Sequence, residues 1–505
     1  MQYNLKDKIS LHPVLFSIFP VLFVFSINSY EVKFLDSLPL IIITLFSVCL
    51  IVFCTSTILK NKNAGSFIGS IGVLLFFSYG HVYNLIINYF EVRHFIIILI
   101  FIGIFILSLI YFVKTKRKLN NATKIANGIA IILILISVSN IISENIQGNY
   151  SLDFMSMNKI EMISPVNNKN PDVYYIILDA YTGNKTLKNY FGYSNNEFIS
   201  FLEEKNFQVI KNSQSNYPTT TLSLASSLNM KHLECQIYLD SCITPSFSYK
   251  LIQNNSIMEK FKKNGYSIIN SNSGWPPTSN IQIASENLCS KYSGFLNSEF
   301  EISIISNSIL NPVYVKLYEE NKRQNILCIF SEIIQVHHRF EEPIFVFAHL
   351  VIPHHPYIFG PDGESVSPKK LEIGWQGLEN DKEGYLNQVK FVNKKIKEVI
   401  TKIIDESEIP PIIIIQGDHG LKVKIDDWNN PSEKNLREKF SILNAYYFPN
   451  YNESIYQNIT PVNSFRVVIN ELFNEENELL PDSSYWLKPG PPADFIEVTS
   501  ILKEG

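Results

Sequence analysis

Two fold classes are predicted along this 505-residue chain: a helical membrane region over residues 1–143 and a large α/β region over residues 171–505. The first prediction depends on long apolar runs near the N-terminus. The second depends on short β-branched runs that alternate with helical periodicity, a pattern typical of a mostly parallel sheet covered by helices. The polar, Asn-rich residues 144–170 between them are expected to form a juxtamembrane linker.

The membrane region contains five uncharged apolar runs. They are Ile9–Tyr30, Ser37–Leu59, Ser66–Phe90, Phe95–Val113 and Ile125–Ile142. Each has about the 20 residues that a helix needs to cross a bilayer. A secretory signal is the alternative for the first run, but that run is long, lacks a small-residue cleavage site and has four successors. About five transmembrane helices are therefore expected.

Lys and Arg in the short connections predict the orientation. With the N-terminus inside, the outer connections of residues 1–143 hold only Lys33 and Arg93, and the other nine Lys and Arg residues of this region fall on the inner side. An odd number of spans then places the chain after about residue 144 outside. We expect a multi-pass cell-membrane protein whose large domain is extracytoplasmic.

The α/β region should form one large domain. Strand-like runs recur at Tyr266–Asn270, Ile344–Ile352, Ile412–Gln416 and Ala445–Phe448, and helical periodicity appears at Asn195–Lys205 and Tyr385–Ile404. The net charge is only −4 and no basic patch interleaved with aromatics stands out, so nucleic acid is not an expected partner.

The α/β region contains four cysteines, which allow two disulfides in any of three pairings. They are Cys235, Cys242, Cys289 and Cys328.

Two of the strand-like runs end at acidic residues. Val173–Leu178 leads into Asp179. Ile412–Gln416 leads through Gly417 into Asp418 and His419. Ligands bind beyond the carboxyl ends of parallel strands, so these side chains should meet and could hold a metal ion. Gly417 and Gly420 are expected to supply backbone freedom for the turn. The alternative is that Asp418 caps a following helix.

The segment Tyr217–Ser223 is rich in hydroxyl groups and could supply a nucleophile, although its threonines could equally cap a helix. Pro353-His354-His355-Pro356 follows another strand-like run and is interpreted as a functional loop. His349, within that strand, is interpreted as a core group. The pair His337-His338 and the cations Arg437 and Lys439 are interpreted as surface groups.

Together, Asp179, Thr219–Thr221, His354 with its flanking prolines, and Gly417–Gly420 resemble the alkaline phosphatase superfamily, in the branch that holds sulfatases, lipoteichoic acid synthases and phosphoethanolamine transferases. The resemblance covers most of residues 171–470. The chain is most similar to membrane-bound sulfatase-like hydrolase/transferase proteins. The resemblance implies an alkaline-phosphatase-like α/β domain.

The resemblance also implies site roles. Asp179, Asp418, His419 and the nucleophilic threonine would bind one divalent metal ion, with Zn or Mn favoured over Mg or Ca. Thr220 is the favoured nucleophile, with Thr219 and Thr221 as alternatives. His354 would contact the substrate near the leaving group and act as a catalytic acid, and His355 is a second substrate-binding candidate. None of the ten histidines follows His419, which favours a single metal.

The substrate class follows from a departure from the sulfatase pattern. Sulfatases of this superfamily form an aldehyde from Cys or Ser within C/S-x-P-x-R, and no such pattern occurs here. We therefore expect an enzyme that transfers or hydrolyses phosphate esters of lipid or cell-envelope head groups through a covalent phospho-threonine. A membrane lipid would be the donor and a glycan, lipid or polymer the acceptor. The alternatives are a sulfuric ester hydrolase and a catalytically silent binding or sensing module.

Overall fold

The computed structural model describes residues 10–29, 32–87, 89–90, 92–115, 119–150, 170–233, 245–292, 299–366, 381–421, 423–449, 454–488 and 494–503. The chain divides into two compact units. The first comprises Met1–Phe154 and Phe295–Tyr318, and the second comprises Met155–Gly294 and Glu319–Gly505. The grouping of Phe295–Tyr318 with the N-terminal unit is a feature that the sequence did not predict.

The first unit contains five helices in the region predicted to be membrane-bound. They are α1 (His12–Ile27), α2 (Phe34–Leu59), α3 (Lys62–Ile87), α4 (His94–Lys114) and α5 (Asn120–Tyr150). Among the described residues, α2 to α5 are long and apolar enough to cross a membrane, whereas α1 has 16 residues and is shorter. The predicted helical membrane region is thereby confirmed, with four to five spans.

The described polar groups in this unit mostly bond within it. His12 Nδ1 lies 2.6 Å from Ser70 Oγ, and the backbone amides of Leu11 and His12 both donate to Asn127 Oδ1. These bonds join α1 to α3 and α5. His12 therefore makes an interhelical hydrogen bond.

The second unit is built on a seven-stranded sheet. Its strands are β1 (Val173–Leu178), β2 (Gln208–Val209), β3 (Ser267–Ser271), β4 (Glu286–Leu288), β5 (Ile344–Leu350), β6 (Ile412–Gly417) and β7 (Asn444–Tyr447), in the order β2-β7-β6-β1-β5-β3-β4. The five strands from β6 to β4 in this order are parallel, and β7 and β2 continue the sheet in antiparallel pairing. Two further strands, β8 (Tyr485–Lys488) and β9 (Asp494–Glu497), form a separate antiparallel pair.

Helices alternate with the strands along the chain. Those that follow β1 are α6 (Asn184–Phe191), α7 (Asn196–Glu204), α8 (Thr220–Ser227), α9 (Pro245–Gln253), α10 (Ser256–Lys263), α11 (Pro276–Ser279), α12 (Glu299–Ile305), α13 (Asn311–Gln335), α14 (Lys382–Glu406), α15 (Glu433–Phe440), α16 (Pro461–Phe473) and α17 (Thr499–Lys503). Of these, α12 and the start of α13 belong to the first unit. The predicted α/β class with a mostly parallel sheet is confirmed.

The central strands are buried on both faces, as their mainly apolar composition, rich in β-branched and aromatic residues, predicts. Every residue of β1, β5 and β6 is buried. β1 lies between the other two in register, with Leu178 opposite Leu350 and Gly417. The carboxyl ends of the three strands consequently lie side by side, and the residues that follow them meet at one edge of the sheet.

Of the four outer-domain cysteines, Cys289 and Cys328 form a disulfide, with 6.0 Å between their Cα atoms. The bond joins the end of β4 to α13. Cys235 and Cys242 lie outside the described residues.

Asp172, at the amino end of β1, makes the stability of this fold depend on pH. Burial raises its pKa from 3.8 to about 6, although the hydrogen bond donated by Ile344 N opposes the rise. The folded chain therefore binds this proton more tightly than the unfolded chain, and stability falls as pH rises from about 4 to about 6.

Asp172→Asn should remove this dependence. We expect equal stability near pH 4 and a variant more stable by about 1 kcal/mol above pH 6, a value reduced for the partly exposed side chain. All four tryptophans follow residue 270, so urea unfolding monitored by tryptophan fluorescence reports on this unit. Asp362→Asn, at an exposed carboxylate, is the control and should follow the wild type. If the free energy of unfolding changed with pH by the same amount in Asp172→Asn and in the wild type, the prediction would be contradicted.

Candidate active site

Asp179 and Asp418 lie side by side at the carboxyl edge of the sheet. Each directly follows a central strand, β1 or β6, and the two residues are only 4% and 2% exposed. The Ala180 amide donates to Asp418 Oδ1 at 2.9 Å. Ala180 has a φ of 60°, in the left-handed region that costs a non-glycine residue free energy. The backbone after β1 is thus held in an unfavourable conformation that directs an amide at the second carboxylate.

His419 joins the two carboxylates. Its Nε2 atom lies 3.6 Å from Asp179 Oδ1 and 3.6 Å from Asp418 Oδ2. Its Nδ1 lies 2.8 Å from the carbonyl oxygen of Gly420, which can only accept a hydrogen bond. Nδ1 therefore carries the proton, and Nε2 of the neutral ring presents its lone pair to the carboxylates, as a metal-binding histidine does.

Thr220 brings a hydroxyl group to the same point. Its Oγ1 lies 3.2 Å from His419 Nε2, and the residue is the first of α8. The preceding loop is anchored by the Ser215 amide, which donates to the Phe440 carbonyl, and by the Ser223 hydroxyl, which donates to the Tyr217 carbonyl. Among the described residues, Thr220 is the threonine of the three candidates whose hydroxyl is within hydrogen-bond distance of His419. Thr219 is the N-cap of α8.

The pKa values of Asp179 and Asp418 are shifted in opposite directions. Burial alone would raise the pKa of Asp179, but the imidazoles of His354, His349 and His419 outweigh it and hold that pKa well below the usual range. Burial also raises the pKa of Asp418, and the charge of Asp179 adds to the rise against the opposing effect of His419. Asp179 is therefore the more readily ionised of the two, and a nearby cation would favour the ionised form of Asp418.

The donor atoms fit a divalent metal ion. Asp179 Oδ1 and Asp418 Oδ2 are buried and have no hydrogen-bond partner within the part of the chain that the structure describes, which is costly unless a cation satisfies them. Ligands bonded at about 2.0–2.2 Å in tetrahedral geometry lie roughly 3.3–3.6 Å from one another. The separations of 3.2 and 3.6 Å among Thr220 Oγ1, His419 Nε2 and the carboxylate oxygens are close to these values.

His349 is a site residue that sequence reasoning ranked too low. It is fully buried, its Nε2 atom has no hydrogen-bond partner, and it lies 3.7 Å from Asp179 Oδ2. Together with Asp179 and Asp418 it forms a group that could hold a metal ion. Its Nδ1 contacts Thr278 Oγ1 at 2.8 Å, and that hydroxyl in turn contacts Ser273 Oγ. The signal available in the sequence was its position near the end of β5, beside β1.

His354 and His355 lie in the loop that follows β5. The His354 amide donates to the Asp179 carbonyl at 3.1 Å, and Gln388 Nε2 donates to the His354 carbonyl. His354 Nδ1 lies 2.7 Å from the His355 carbonyl oxygen and 3.1 Å from His355 Nδ1. Both residues are half-buried. The structure thus attaches this loop to the backbone of Asp179.

Two predictions about residues near His419 were wrong. One gave Gly417 and Gly420 a role through backbone freedom, and the other placed Lys439 at the surface. Among the described glycines, neither Gly417 nor Gly420 adopts a positive φ. Gly420 is instead required by close approach, because a Cβ there would lie 2.7 Å from the Ser441 carbonyl oxygen and 2.8 Å from that of Lys439. Lys439 is not a surface charge, since it is only 1% exposed and its carbonyl accepts from the Gly420 amide. This burial results from a contact with Gly420, which is distant in sequence, so no local signal marked it.

Comparison with known proteins identifies the class to which this fold and site belong. The family model "Sulfatase" matches residues 171–462, more than half of the chain. The chain belongs to the sulfatase family. Curated protein sequences gave no match.

Solved structures with a similar fold include phosphoethanolamine transferases. The C-terminal periplasmic domain of EcEptC from Escherichia coli, in complex with Zn, shares 12% identity at a TM-score of 0.40 and covers 61% of this chain and 86% of its own. The membrane protein EptA from Neisseria meningitidis shares 10% identity at a TM-score of 0.40 and covers 92% and 95%. The EptC domain from Campylobacter jejuni shares 14% identity at a TM-score of 0.37 and covers 63% and 95%. Scores this low do not bear on activity.

The site geometry predicts that a neutral residue at position 418 weakens metal binding but stabilises the metal-free protein. Asp418→Asn should weaken metal binding by more than about tenfold, since it removes a charged ligand candidate. It should also raise the free energy of unfolding of the metal-free protein by about 0.5–2 kcal/mol, because it ends the repulsion between two buried carboxylates. Asparagine Oδ1 can still accept from Ala180.

Isothermal titration with Zn²⁺ and urea unfolding in chelator would measure the two effects. Asp172→Asn, at the opposite end of β1, is the matched control and should leave metal binding unchanged. Undiminished zinc affinity in Asp418→Asn would contradict the assignment.

Proposed function

We propose that this chain is a membrane-anchored, metal-dependent phosphotransferase or phosphohydrolase that acts on phosphate esters of lipid or cell-envelope head groups. The observation that carries this proposal is the position of the Thr220 hydroxyl, 3.2 Å from His419 Nε2 and next to Asp179 and Asp418. In this proposal residues 1–143 are the membrane domain, 144–170 the linker and 171–505 the catalytic domain.

The metal would be held by Asp179, Asp418, His419 and Thr220. Two carboxylates, an imidazole and a hydroxyl favour Zn or Mn over Mg or Ca. When bound, such an ion supplies Lewis-acid chemistry, since it lowers the pKa of a coordinated hydroxyl and neutralises charge on phosphate oxygens. His349, on the other side of Asp179, orients that carboxylate or serves as a further ligand.

Thr220 is the proposed nucleophile. The proton of its hydroxyl would be lost to water, since a bound metal ion lowers the pKa of that group. Oγ1 would then form a bond to phosphorus as the bond from phosphorus to the leaving oxygen breaks, and a phospho-threonine results. Thr220 begins α8, so the backbone amides of the first helical turn and the helix dipole favour the anionic phosphate at this position. The hydroxyl is half-buried, whereas the carboxylates behind it are buried, which leaves the nucleophile as the accessible member of the group.

His354 is proposed to protonate the leaving alcohol. Its backbone amide donates to the Asp179 carbonyl, and its imidazole is one of the groups that lower the pKa of that carboxylate, which supports a role for His354 close to the reacting phosphate. His355, in contact with His354, would bind a phosphate oxygen. The buried Lys439, next to the Gly420 turn, is a further candidate for binding the anionic group.

The second half-reaction decides between transfer and hydrolysis. An alcohol of a glycan, lipid or polymer would attack the phospho-threonine and take the head group, and water in its place would make the enzyme a hydrolase. Attachment to the bilayer would raise the effective concentration of a lipid donor. The disulfide between Cys289 and Cys328 supports an extracytoplasmic location, because disulfides persist in oxidising compartments.

Sulfate ester hydrolysis is the second candidate, because the family includes sulfatases. Against it stands the residue at the start of α8. A threonine occupies position 220, residues 216–229 contain no cysteine, and no Pro-x-Arg follows a serine there. The aldehyde that sulfatases of this family use therefore has no precursor in this segment.

Mass spectrometry tests the nucleophile directly. Full-length protein incubated with phosphatidylethanolamine or other phospholipid donors should gain a phosphorus-containing adduct on the peptide that contains Thr219–Thr221. Thr220→Ala should abolish the adduct, whereas Thr221→Ala should retain it. An adduct that persists in Thr220→Ala would transfer the role to a neighbour, and incorporation of sulfate alone would favour the sulfatase alternative.

The role of His354 predicts a kinetic effect. His354→Gln should slow adduct formation by about 10²–10⁴-fold for a donor with a poor leaving group, the usual contribution of a general acid. With a nitrophenyl phosphodiester, whose leaving group needs no proton, the loss should be much smaller. His232→Gln, a histidine whose Nε2 contacts the Pro481 carbonyl, is the matched control. Equal losses with both donors would contradict an acid role.

A further inference from the structure

A second group of metal-ligating side chains lies away from the active site. His337, His338 and Glu406 offer ligand atoms that all lie within 4.8 Å of one another. His338 Nε2 is 3.6 Å from Glu406 Oε2, and the two imidazole rings are 3.8 Å apart between centroids. All three residues belong to the second unit. We refer to them as the His337–His338–Glu406 cluster.

His337 has fewer hydrogen bonds than its surroundings require. The residue is half-buried, but both of its ring nitrogens are shielded from solvent and, apart from an interaction with the Ile334 carbonyl, have no hydrogen-bond partner among the described residues. A buried polar atom without a partner is costly, and in native proteins it often indicates a water molecule or ion that completes the site. The neighbouring cation does not compete for Glu406, because Arg339 contacts Glu286 and Glu332 instead.

The backbone around the cluster also favours a cation. His337 and His338 lie in the short 3-10 helix that follows the C-terminus of α13, and Glu406 is the last residue of α14. Both helices are 25 residues long, and their C-terminal ends carry partial negative charge and unsatisfied carbonyl groups. Two negative helix ends and one carboxylate thus converge on two imidazoles.

We infer that His337, His338 and Glu406 form a second metal site, which binds a divalent transition-metal ion such as Zn²⁺. Ligands bonded to zinc at about 2.0–2.2 Å in tetrahedral geometry lie roughly 3.3–3.6 Å apart, so the His338–Glu406 pair needs little movement. Two imidazoles and a carboxylate select Zn²⁺ or a neighbouring transition metal over Mg²⁺ or Ca²⁺.

This site is at the opposite edge of the sheet from the active site. The 3-10 helix leads into the amino end of β5, and α14 leads into the amino end of β6. The active-site residues follow the carboxyl ends of β1 and β6. The ion would therefore connect the two helix ends to each other and not take part in chemistry at Thr220. The inference is independent of the proposed function.

Zinc stoichiometry tests the inference. Untagged full-length protein in detergent, stripped with chelator, is dialysed against excess Zn²⁺, and the zinc bound per chain is measured by plasma mass spectrometry. The wild type should bind two equivalents, and His337→Ala/His338→Ala should bind one. Asp179→Asn/Asp418→Asn should lose the other equivalent, and His232→Ala, at a histidine outside both groups, should keep two.

Two further outcomes are informative. A His337→Ala/His338→Ala protein that still binds two equivalents would overturn the inference, as would a wild type whose single equivalent disappears in Asp179→Asn/Asp418→Asn. If the double-alanine variant binds none because it fails to fold, Glu406→Gln decides the matter. That variant should lose more than about tenfold in affinity for one equivalent, and unchanged affinity would overturn the inference.

Discussion

The rest of this site depends on one constraint, the burial of the Asp179 and Asp418 carboxyl groups next to each other. Asp179 and Asp418 are almost inaccessible to solvent, and each leaves one carboxylate oxygen without a partner. Desolvation of a charge in a protein costs several kcal/mol even after relaxation, so two adjacent carboxylates are tolerated only where a cation repays that cost. The in-register pairing of β1 with β6 determines this proximity, because both strands end at the same level.

Backbone groups hold several of the surrounding residues. The Gly420 carbonyl orients His419, the Ala180 amide orients Asp418, and the Asp179 carbonyl holds the loop of His354. A Cβ at Gly420 would collide with the chain that ends α15. Such attachment preorganises the site before any ligand binds, which is what stabilisation of a charged transition state requires. It also gives Thr220, the proposed nucleophile at the start of α8, fixed surroundings.

The parts of this account that sequence could predict are those determined by local pattern. Unbroken β-branched runs predicted β1, β5 and β6, and the rule that parallel strands end at one edge predicted that Asp179 and Asp418 would meet. His349 was ranked as a core residue because strand alternation does not show which neighbour a buried side chain faces. Lys439 was read as a surface charge because its burial results from a loop contact with Gly420, more than fifteen residues earlier in the chain. Long-range packing of this kind leaves no periodic signal.

The central claim is that one cation satisfies the paired carboxylates beside Thr220. Anomalous X-ray diffraction from crystals of the protein grown with Zn²⁺, recorded on both sides of the zinc absorption edge, would test it most directly. The account predicts an anomalous peak within about 2.0–2.3 Å of Asp179 Oδ1, Asp418 Oδ2 and His419 Nε2, with Thr220 Oγ1 on its open side. A fully occupied zinc ion elsewhere, together with hydrogen bonds from protein groups to both carboxylate oxygens, would contradict it.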